Sequence, residues 1–349
     1  MHASNDARLG DKTRIDSTID AVAIETPICT NYGTAPADKP EMRMGFLRVD
    51  VCIATFKRAT LLAKTLKSLF EMDIPDGFQV QVIVLDNDRA ESARSVVAQA
   101  EAPPHIKLIY EVEPQAGVAH ARNRALRASG GDYVAFVDDD ETVDKSWLVH
   151  LLKACKEFEA DVVFGPVLSV LPPNSPTWIS QSKLFDRRRF PTGTPRSTGG
   201  AGSVLMTRRI LERAGRDFND AYNNGGEDTE FFFHLKKIGA KLIWCDEAIA
   251  WEDVPDERAT IKWMAMRNYN HGRIYARVVA PGESFMMKVY SFIKRLMAAA
   301  LLTVTAMFAL VTGKHVAARF AMIAVRNFGQ ALEYFAVLVG RRGGGSAVL

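Results

Sequence analysis

The segment Tyr133-Val134-Ala135-Phe136-Val137-Asp138-Asp139-Asp140 decides the fold of this chain. Its first five residues have the length and the β-branched and aromatic content of a buried strand. The three carboxylates then emerge together at the strand's carboxyl end, where open α/β sheets bind ligands. Adjacent acids repel one another, and a hard cation held by oxygen, Mg²⁺ or Mn²⁺ on a diphosphate, is the simplest relief. The competing reading is a solvated acidic turn or helix cap, because Asp140-Glu141-Thr142 can start the helix that carries Trp147 and Leu151.

Around this segment strand-like and helix-like stretches alternate. Residues 49–54, 80–85 and 106–112 read as strands, and 59–72, 91–100, 118–129 and 146–158 as helices. Leu61, Leu62, Leu66, Leu69 and Phe70 recur at helical spacing in the first of these. Repeated strand–helix units predict an α/β fold with a mainly parallel central sheet covered by helices on both faces. The pattern breaks after residue 165. Pro172-Pro173-Asn174-Ser175-Pro176 and Phe190-Pro191-Thr192-Gly193-Thr194-Pro195 bracket an irregular stretch that holds Arg187-Arg188-Arg189, and a loop this long in a compact domain is expected to be functional. Residues 1–46 are polar and aperiodic, which predicts a disordered extension. The expected organisation is therefore an extension at 1–46, an α/β domain at 47–280 and an apolar, basic helical tail at 281–349.

Charge is distributed unevenly. The 349 residues carry 44 Lys and Arg against 41 Asp and Glu, a formal net charge of +3. From Lys288 onward there are eight Lys and Arg against one acid, Glu333, so the rest of the chain is mildly acidic. A nucleic-acid partner would want the basic face on the folded domain, and none is predicted. The tail suggests a membrane surface instead. Residues 296–313 are eighteen positions without a charge, the lower limit for a membrane span. Residues 316–340 are apolar but interrupted by Arg319, Arg326 and Glu333, as in a helix lying in the interface. The alternative is a pair of helices packed on the α/β domain or on a second subunit. Cys29, Cys52, Cys155 and Cys245 are scattered, without the spacing of a zinc site or a disulfide framework. The first residues show no secretory signal, so the expectation is a cytosolic domain at the cytoplasmic face of the inner membrane.

Several residues carry candidate chemistry. Thr55 and Arg58 follow the first strand and Asp86 ends the second, so all three are expected to line one cleft with Asp138, Asp139 and Asp140. A carboxylate such as Asp86 accepts from a nucleobase N–H, and Arg58 offers charge to phosphate; Asp86-Asn87-Asp88 is equally a turn sequence. No Gly-x-Gly-x-x-Gly follows the first strand, which argues against a dinucleotide-binding dehydrogenase. Gln115 to Asn123 opens a helix with Gly117 in its approach and Arg122 one turn inside, a setting that suits an anion; His120 is expected to be structural. Asn223-Asn224-Gly225-Gly226-Glu227-Asp228 precedes another helix. Its acids suit the helix dipole, and a carboxylate held there can equally serve as a general base.

As an ordered set these residues resemble the family 2 inverting glycosyltransferases, whose nucleotide-binding fold is called GT-A. The matching pieces are 54–58, Asp86, the Ala-Arg-Asn helix at 117–123, Asp138 to Asp140 and Gly226-Glu227-Asp228. Phrases such as Val137-Asp138-Asp139-Asp140-Glu141-Thr142-Val143 and Gly225-Gly226-Glu227-Asp228-Thr229-Glu230-Phe231-Phe232 are most similar to the succinoglycan-type exopolysaccharide glucosyltransferases. The resemblance implies transfer of a sugar from a nucleotide-diphosphate sugar, usually with uridine, to an acceptor hydroxyl with inversion, here a lipid-linked saccharide. It implies Asp86 on the base, Asp138 and Asp139 on the ribose and donor edge, Asp140 on a divalent metal, and Asp228 as the base for the acceptor. The loop at 171–198 is then expected to help shape the acceptor site.

One position departs from the family's pattern. Related enzymes often carry a histidine after the last core strand, where this chain reads Ile249-Ala250-Trp251-Glu252-Asp253. Trp251 is expected either to stack on a sugar or to sit in the core; either Glu252, Asp253 or His271 takes the histidine's role, or the metal site has fewer protein ligands, or the enzyme is impaired. Two rival functions are a sugar-phosphate nucleotidyltransferase, which would want a Gly-rich basic loop where Thr55-Phe56-Lys57-Arg58-Ala59 stands, and a binding-only member of the transferase family.

Overall fold

The computed structural model describes residues 46–223 and 225–340. The expected extension lies almost wholly outside them, as do Cys29 and Asn224. A seven-stranded sheet has the order β3-β2-β1-β4-β8-β6-β9. It comprises β1 (Leu47–Thr55), β2 (Phe78–Asp86), β3 (Ile106–Val112), β4 (Tyr133–Val137), β6 (Val162–Phe164), β8 (Ser203–Thr207) and β9 (Leu242–Trp244). β1, β2, β3 and β4 are mutually parallel, as are β6 and β9; β8 runs antiparallel to both of its neighbours. The first four strands are those legible in the sequence. A small second sheet, β5-β10-β7, joins β5 (Glu141–Val143), β7 (Val167–Val170) and β10 (Ala250–Asp253). Glu141 and Thr142 therefore extend into a strand and do not open the next helix, which begins after Ser146.

Strand alternation divides the core in two. On one face Val49, Val51, Ile53, Ala135 and Val137 pack with Leu62, Leu66 and Leu69 of α1 (Ala59–Phe70) and with Trp147, Leu148 and Leu151 of α4 (Trp147–Glu157). On the other, Cys52, Ile83, Leu85, Val134 and Phe136 pack with α3 (Val118–Ala128), α6 (Arg208–Ala214) and α7 (Glu227–Lys237). The expected helix at 91–100 shrinks to α2 (Arg94–Ala98). Cys52, Cys155 and Cys245 are buried and free. Because β1 is flanked by β2 on one side and β4 on the other, successive connections leave it in opposite directions. That reversal opens a crevice at the carboxyl ends of β1 and β4.

The tail is more tightly joined to the body than its composition suggests. α5 (Thr177–Ser182) lies in the irregular stretch; α8 (Ile261–Val279) is followed by α9 (Phe285–Ala309) and α10 (Lys314–Leu338). The uncharged run at 296–313 is not one helix, since α9 ends at Ala309 and the chain reverses at Gly313, φ 141°. α10 then returns against both α9 and α8. It crosses α8 at glycines: a Cβ on Gly272 would stand 2.1 Å from the Arg326 carbonyl oxygen, and one on Gly329 would stand 2.4 Å from that of Tyr269. Beside the crossing, Glu333 is buried and accepts from Arg273 Nε at 3.0 Å and Arg277 Nε at 2.9 Å. Residue 280 is therefore no break in packing. Gly272→Ala should force α8 and α10 apart and destabilise the protein by about 2–3 kcal/mol, read as a lower urea midpoint; an unchanged midpoint would mean that the helices do not meet there.

Candidate active site

The crevice at the ends of β1 and β4 encloses about 480 Å³. Thr55, Arg58, Arg122, Asp138, Asp139 and Asp140 line it together, joined by Asn87, Gly117 and Glu252. The parallel register of β1 with β4 brings the strand ends side by side, so Thr55 Oγ1 donates to Asp139 Oδ2 at 2.7 Å. Thr65 Oγ1, on α1, donates to the Asp139 carbonyl oxygen at 3.0 Å. Asp139 is thus an anchor for the acidic turn. Burial pushes its carboxyl upward in pKa, and the bonds from Thr55 and Arg58 oppose that shift.

The repulsion among the acids is relieved by arginines. Arg58 Nη1 lies 3.0 Å from both Asp139 Oδ1 and Asp140 Oδ2. Arg258, from the approach to α8, lies 3.5 Å from Asp140 Oδ2 and 3.3 Å from Glu252 Oε1. Arg187 pairs with Glu252 and lies 4.0 Å from buried Glu141. Burial, then Asp138, drives the Glu141 carboxyl well above the carboxylate range. On the opposite side Arg122 is buried between Glu227 and Asp138, donating to the first and, from Nη2 at 3.1 Å, to the second. Six carboxylates, Glu227, Asp138, Asp139, Asp140, Glu252 and Glu141, therefore share four guanidiniums. Among the described residues neither Asp138 Oδ2 nor Asp140 Oδ1 accepts a hydrogen bond. An excess of hard oxygen donors with open lone pairs fits a divalent cation of the Mg²⁺ or Mn²⁺ type, although the described residues contain no cluster of three or more His, Cys, Asp or Glu arranged to hold one.

Asp86 is placed differently from the expectation. Its carboxylate is fully buried and accepts from Asp88 N at 3.0 Å, Ala93 N at 2.7 Å and the Tyr110 hydroxyl at 2.9 Å. It braces the wall of the crevice and does not open onto it. Its neighbour Asn87 lines the cavity, donating to the carbonyls of Glu113 and Gln115 and accepting from Gly117 N at 2.8 Å. The start of α3, expected to be open to an anion, is capped by a side chain from far along the sequence: Asn223 Oδ1 accepts from Ala119 N at 3.1 Å and His120 N at 3.3 Å. A Cβ on Gly117 would stand 2.5 Å from that oxygen, so glycine leaves room for the cap. His120 is structural, bonded to the Asn223 amide.

The turn before α7 is set by Gly225 and Gly226, both at positive φ (112° and 97°). It sends Glu227 inward and leaves Asp228 half-buried at the helix start. Burial raises the Glu227 pKa, and the Arg122 charge opposes the rise. Asp228 Oδ1 accepts from Thr229, while Oδ2 has no hydrogen bond among the described residues and faces Gly200.

Trp251 is neither core nor part of the cavity lining. Strand alternation in β10 turns Glu252 to the crevice, while the Trp251 indole, 37% exposed, donates to Asp144 Oδ1 at 2.7 Å. Asp253 reaches the surface lysine Lys64. His271 is an exposed residue of α8 outside the lining. Of Glu252, Asp253 and His271, Glu252 alone is in the crevice lining. Arg258 is a component that no sequence motif marks, and Asn87, Asn223, Arg187 and Glu252, each within a segment noted in the sequence, gain their contacts here only through the fold.

Residues 50–215 match the family model described as Glycosyl transferase family 2. The chain is 34% identical over 235 residues to the succinoglycan biosynthesis protein ExoM of Rhizobium meliloti (strain 1021), covering 67% of this chain and 76% of that protein. It is 30% identical over 122 residues to the GalNAc(5)-diNAcBac-PP-undecaprenol beta-1,3-glucosyltransferase of Campylobacter jejuni, covering 35% of this chain and 38% of that protein. In fold it is similar to the mannosyltransferase PcManGT from Pyrobaculum calidifontis, solved in complex with GDP-Man and Mn²⁺, with a TM-score of 0.58 at 21% identity, covering 84% of this chain and 88% of that one.

The buried Arg122 pair generates a stability test. Arg122→Met strands Glu227 in the interior and should cost about 3 kcal/mol or more in equilibrium denaturation. Adding Glu227→Met removes the orphaned carboxylate and should recover most of that loss. A double variant no more stable than the single one would show that the pair is not the source of the cost.

Proposed function

This chain belongs to glycosyl transferase family 2, as a hexosyltransferase of GT-A fold, and we propose that it moves a hexose from a nucleotide-diphosphate sugar to a hydroxyl of a lipid-linked saccharide, with inversion, in exopolysaccharide assembly. The observation that carries this reading is the crevice itself, with open acid oxygens and paired arginines at the point where the sheet connections reverse; the Gly-Gly-Glu-Asp turn lies outside its lining and is tied to it through Glu227 and Arg122. For the donor we take a uridine diphosphate hexose such as UDP-glucose, the hexose following the relative named as a glucosyltransferase and the polysaccharide setting following the one named for succinoglycan biosynthesis. A lipid-linked acceptor is supported by the relative named for its polyprenol-linked substrate.

In this reading Thr55, Arg58, Asn87 and Asp138 frame the donor, while Asp86 and Asp139 hold the frame. Asp140, with its open Oδ1, would hold the divalent ion, which when bound supplies positive charge to the departing diphosphate. The acceptor hydroxyl attacks the anomeric carbon, the bond from that carbon to the diphosphate oxygen breaks, and the hydroxyl proton passes to Asp228 Oδ2. Glu227, committed to Arg122, positions the turn without taking the proton. Asp228→Asn should therefore lower turnover by a factor on the order of 10² or more with donor affinity retained, whereas Asp140→Asn should abolish transfer and weaken Mn²⁺-dependent UDP binding. Retained Mn²⁺-dependent UDP binding in the Asp140 variant, or inactivation by Glu227→Gln and not by Asp228→Asn, would overturn these assignments.

We propose further that α9 seats the enzyme on the cytoplasmic face of the membrane, lying in the interface. Phe285, Met286, Met297, Leu301, Met307 and Phe308 are each at least 66% exposed. By length and composition α9 could cross a bilayer. Yet its uncharged part, residues 296–309, extends about 21 Å against a hydrocarbon core of about 30 Å, and α10 is fastened to α8 directly after the reversal. Basic residues beside an apolar face gain both burial and attraction to anionic lipid. The protein should float with vesicles containing phosphatidylglycerol, and Leu301→Asp with Phe308→Asp should leave it at the bottom of the gradient. Flotation unaffected by the pair of substitutions would remove α9 from that role.

A further inference from the structure

Outside the crevice, positive charge collects where α8 and α10 cross. Arg267 and His271 stand one turn apart on α8, and Arg326 is the residue whose backbone meets Gly272. Among the described residues neither Arg267 nor Arg326 forms an ion pair or a side-chain hydrogen bond. Arg267 lies over the Trp263 ring, 5.2 Å from its centroid, and Arg258 lies over the same ring at 5.7 Å. Desolvation, then the Arg187 charge, holds Arg267 below its ordinary pKa; Glu252 is the acid that opposes them, and Arg258 adds to them. Desolvation and the charges of Arg267, Arg326 and Arg187 push the His271 pKa down to about 4. These groups make a corner of like charge, and the acid that acts on Arg267, Glu252, is already shared by Arg187 and Arg258.

The corner adjoins an apolar groove of about 970 Å³ between α9 and α10, running from Trp178 and Ile261 past Met322 to Leu310. Val325 and Phe328, on either side of Arg326 in sequence, both line it. In the other direction the corner is continuous with the crevice, through Trp263 and Arg258 to Asp140. A ligand that filled all three places would be apolar at one end, anionic in the middle and a sugar at the other.

We propose that the acceptor's phosphate-linked lipid binds here, its phosphate or diphosphate on Arg267 and Arg326 with His271 beside it, its chain along the groove, and its saccharide toward Glu252 and the crevice. The proposal rests on the lipid-linked acceptor argued above. Guanidiniums free of carboxylates suit phosphate oxygens, which they can grip with paired N–H donors. Two unpaired arginines beside one groove match a multiply charged headgroup on a single chain better than a phosphodiester on two.

The test uses the full chain in detergent micelles, with saturating UDP and Mn²⁺ to occupy the donor site and farnesyl diphosphate as the probe. Arg267→Gln with Arg326→Gln should weaken farnesyl diphosphate binding by about tenfold or more while leaving UDP affinity unchanged. Ala318→Trp, which fills the groove, should weaken farnesyl diphosphate but not inorganic diphosphate. In the unsubstituted protein the His271 resonance, identified by its loss in His271→Gln, should titrate at higher pH once farnesyl diphosphate is bound. Unchanged affinity in the double arginine variant, or an unmoved His271 titration, overturns the proposal. So does a double variant that loses flotation with phosphatidylglycerol vesicles yet keeps its farnesyl diphosphate affinity, because the corner is then a bilayer contact. If the arginine and groove variants behave as expected while no nucleotide sugar serves as donor, the donor reading fails and this site stands.

Discussion

The buried guanidinium of Arg122 is the contact on which the arrangement of this site depends. It joins Asp138, just past the end of a core strand, to Glu227, at the start of a helix 105 residues beyond Arg122 itself. Burying Arg122 or Glu227 ionised and alone would be costly, so each requires the other, while the half-exposed Asp138 adds a second acceptor. Neighbouring contacts act in the same direction: Asn123 donates to the Phe218 carbonyl and accepts from its N–H, and Asn223 caps α3. The turn that carries Asp228 is thereby clamped to the helix that carries Arg122, and Asp228 keeps its orientation without spending its own second oxygen on the scaffold.

What could be read from sequence was what depends on local pattern. The β4 run with its acids, the strand and helix alternation up to residue 158 and the Gly-Gly-Glu-Asp turn all announce themselves within a dozen residues. Pairings across long separations did not. A triple acid looks like a demand for a cation, but nothing near it in sequence says that Arg58, 80 residues earlier, and Arg258, 118 residues later, will answer part of that demand. Asp86 illustrates the same limit, since a strand-end carboxylate can turn outward to a ligand or inward to backbone N–H groups, and only the path of the 88–93 loop decides.

The tail shows how composition under-determines packing. An apolar helix interrupted by Arg319, Arg326 and Glu333 has the same appearance whether it lies on a bilayer or against protein. Gly272, Gly329 and the burial of Glu333 between Arg273 and Arg277 decide for protein in the case of α10. α9, packed by its small residues Ala299, Ala306 and Ala309 and exposed elsewhere, keeps the ambiguous face. Trp251 and Glu252 make the corresponding point for a strand: adjacent residues point to opposite faces, and only the pairing of β10 with its neighbours fixes which of the two meets the crevice.

The double engagement of Arg58 has a consequence for how this crevice can fill. Arg58 cannot swing to an arriving anion without leaving Asp139 to Thr55 and Asp140 to Arg258, and the weaker pairing of two carboxylates, one of them buried, would set the crevice against that anion. A cation arriving alone meets the mirror-image difficulty, since it must share Asp140 with guanidiniums already in place. If the two entered together, as the proposed function requires, arginine would exchange carboxylate for phosphate while the carboxylates took up the cation, and the charge inventory would stay balanced at every contact. Such an exchange makes ion and nucleotide thermodynamic partners, each raising the other's affinity by the same factor. On that reading the resting network of ion pairs would act as a latch that single ions of either sign leave closed.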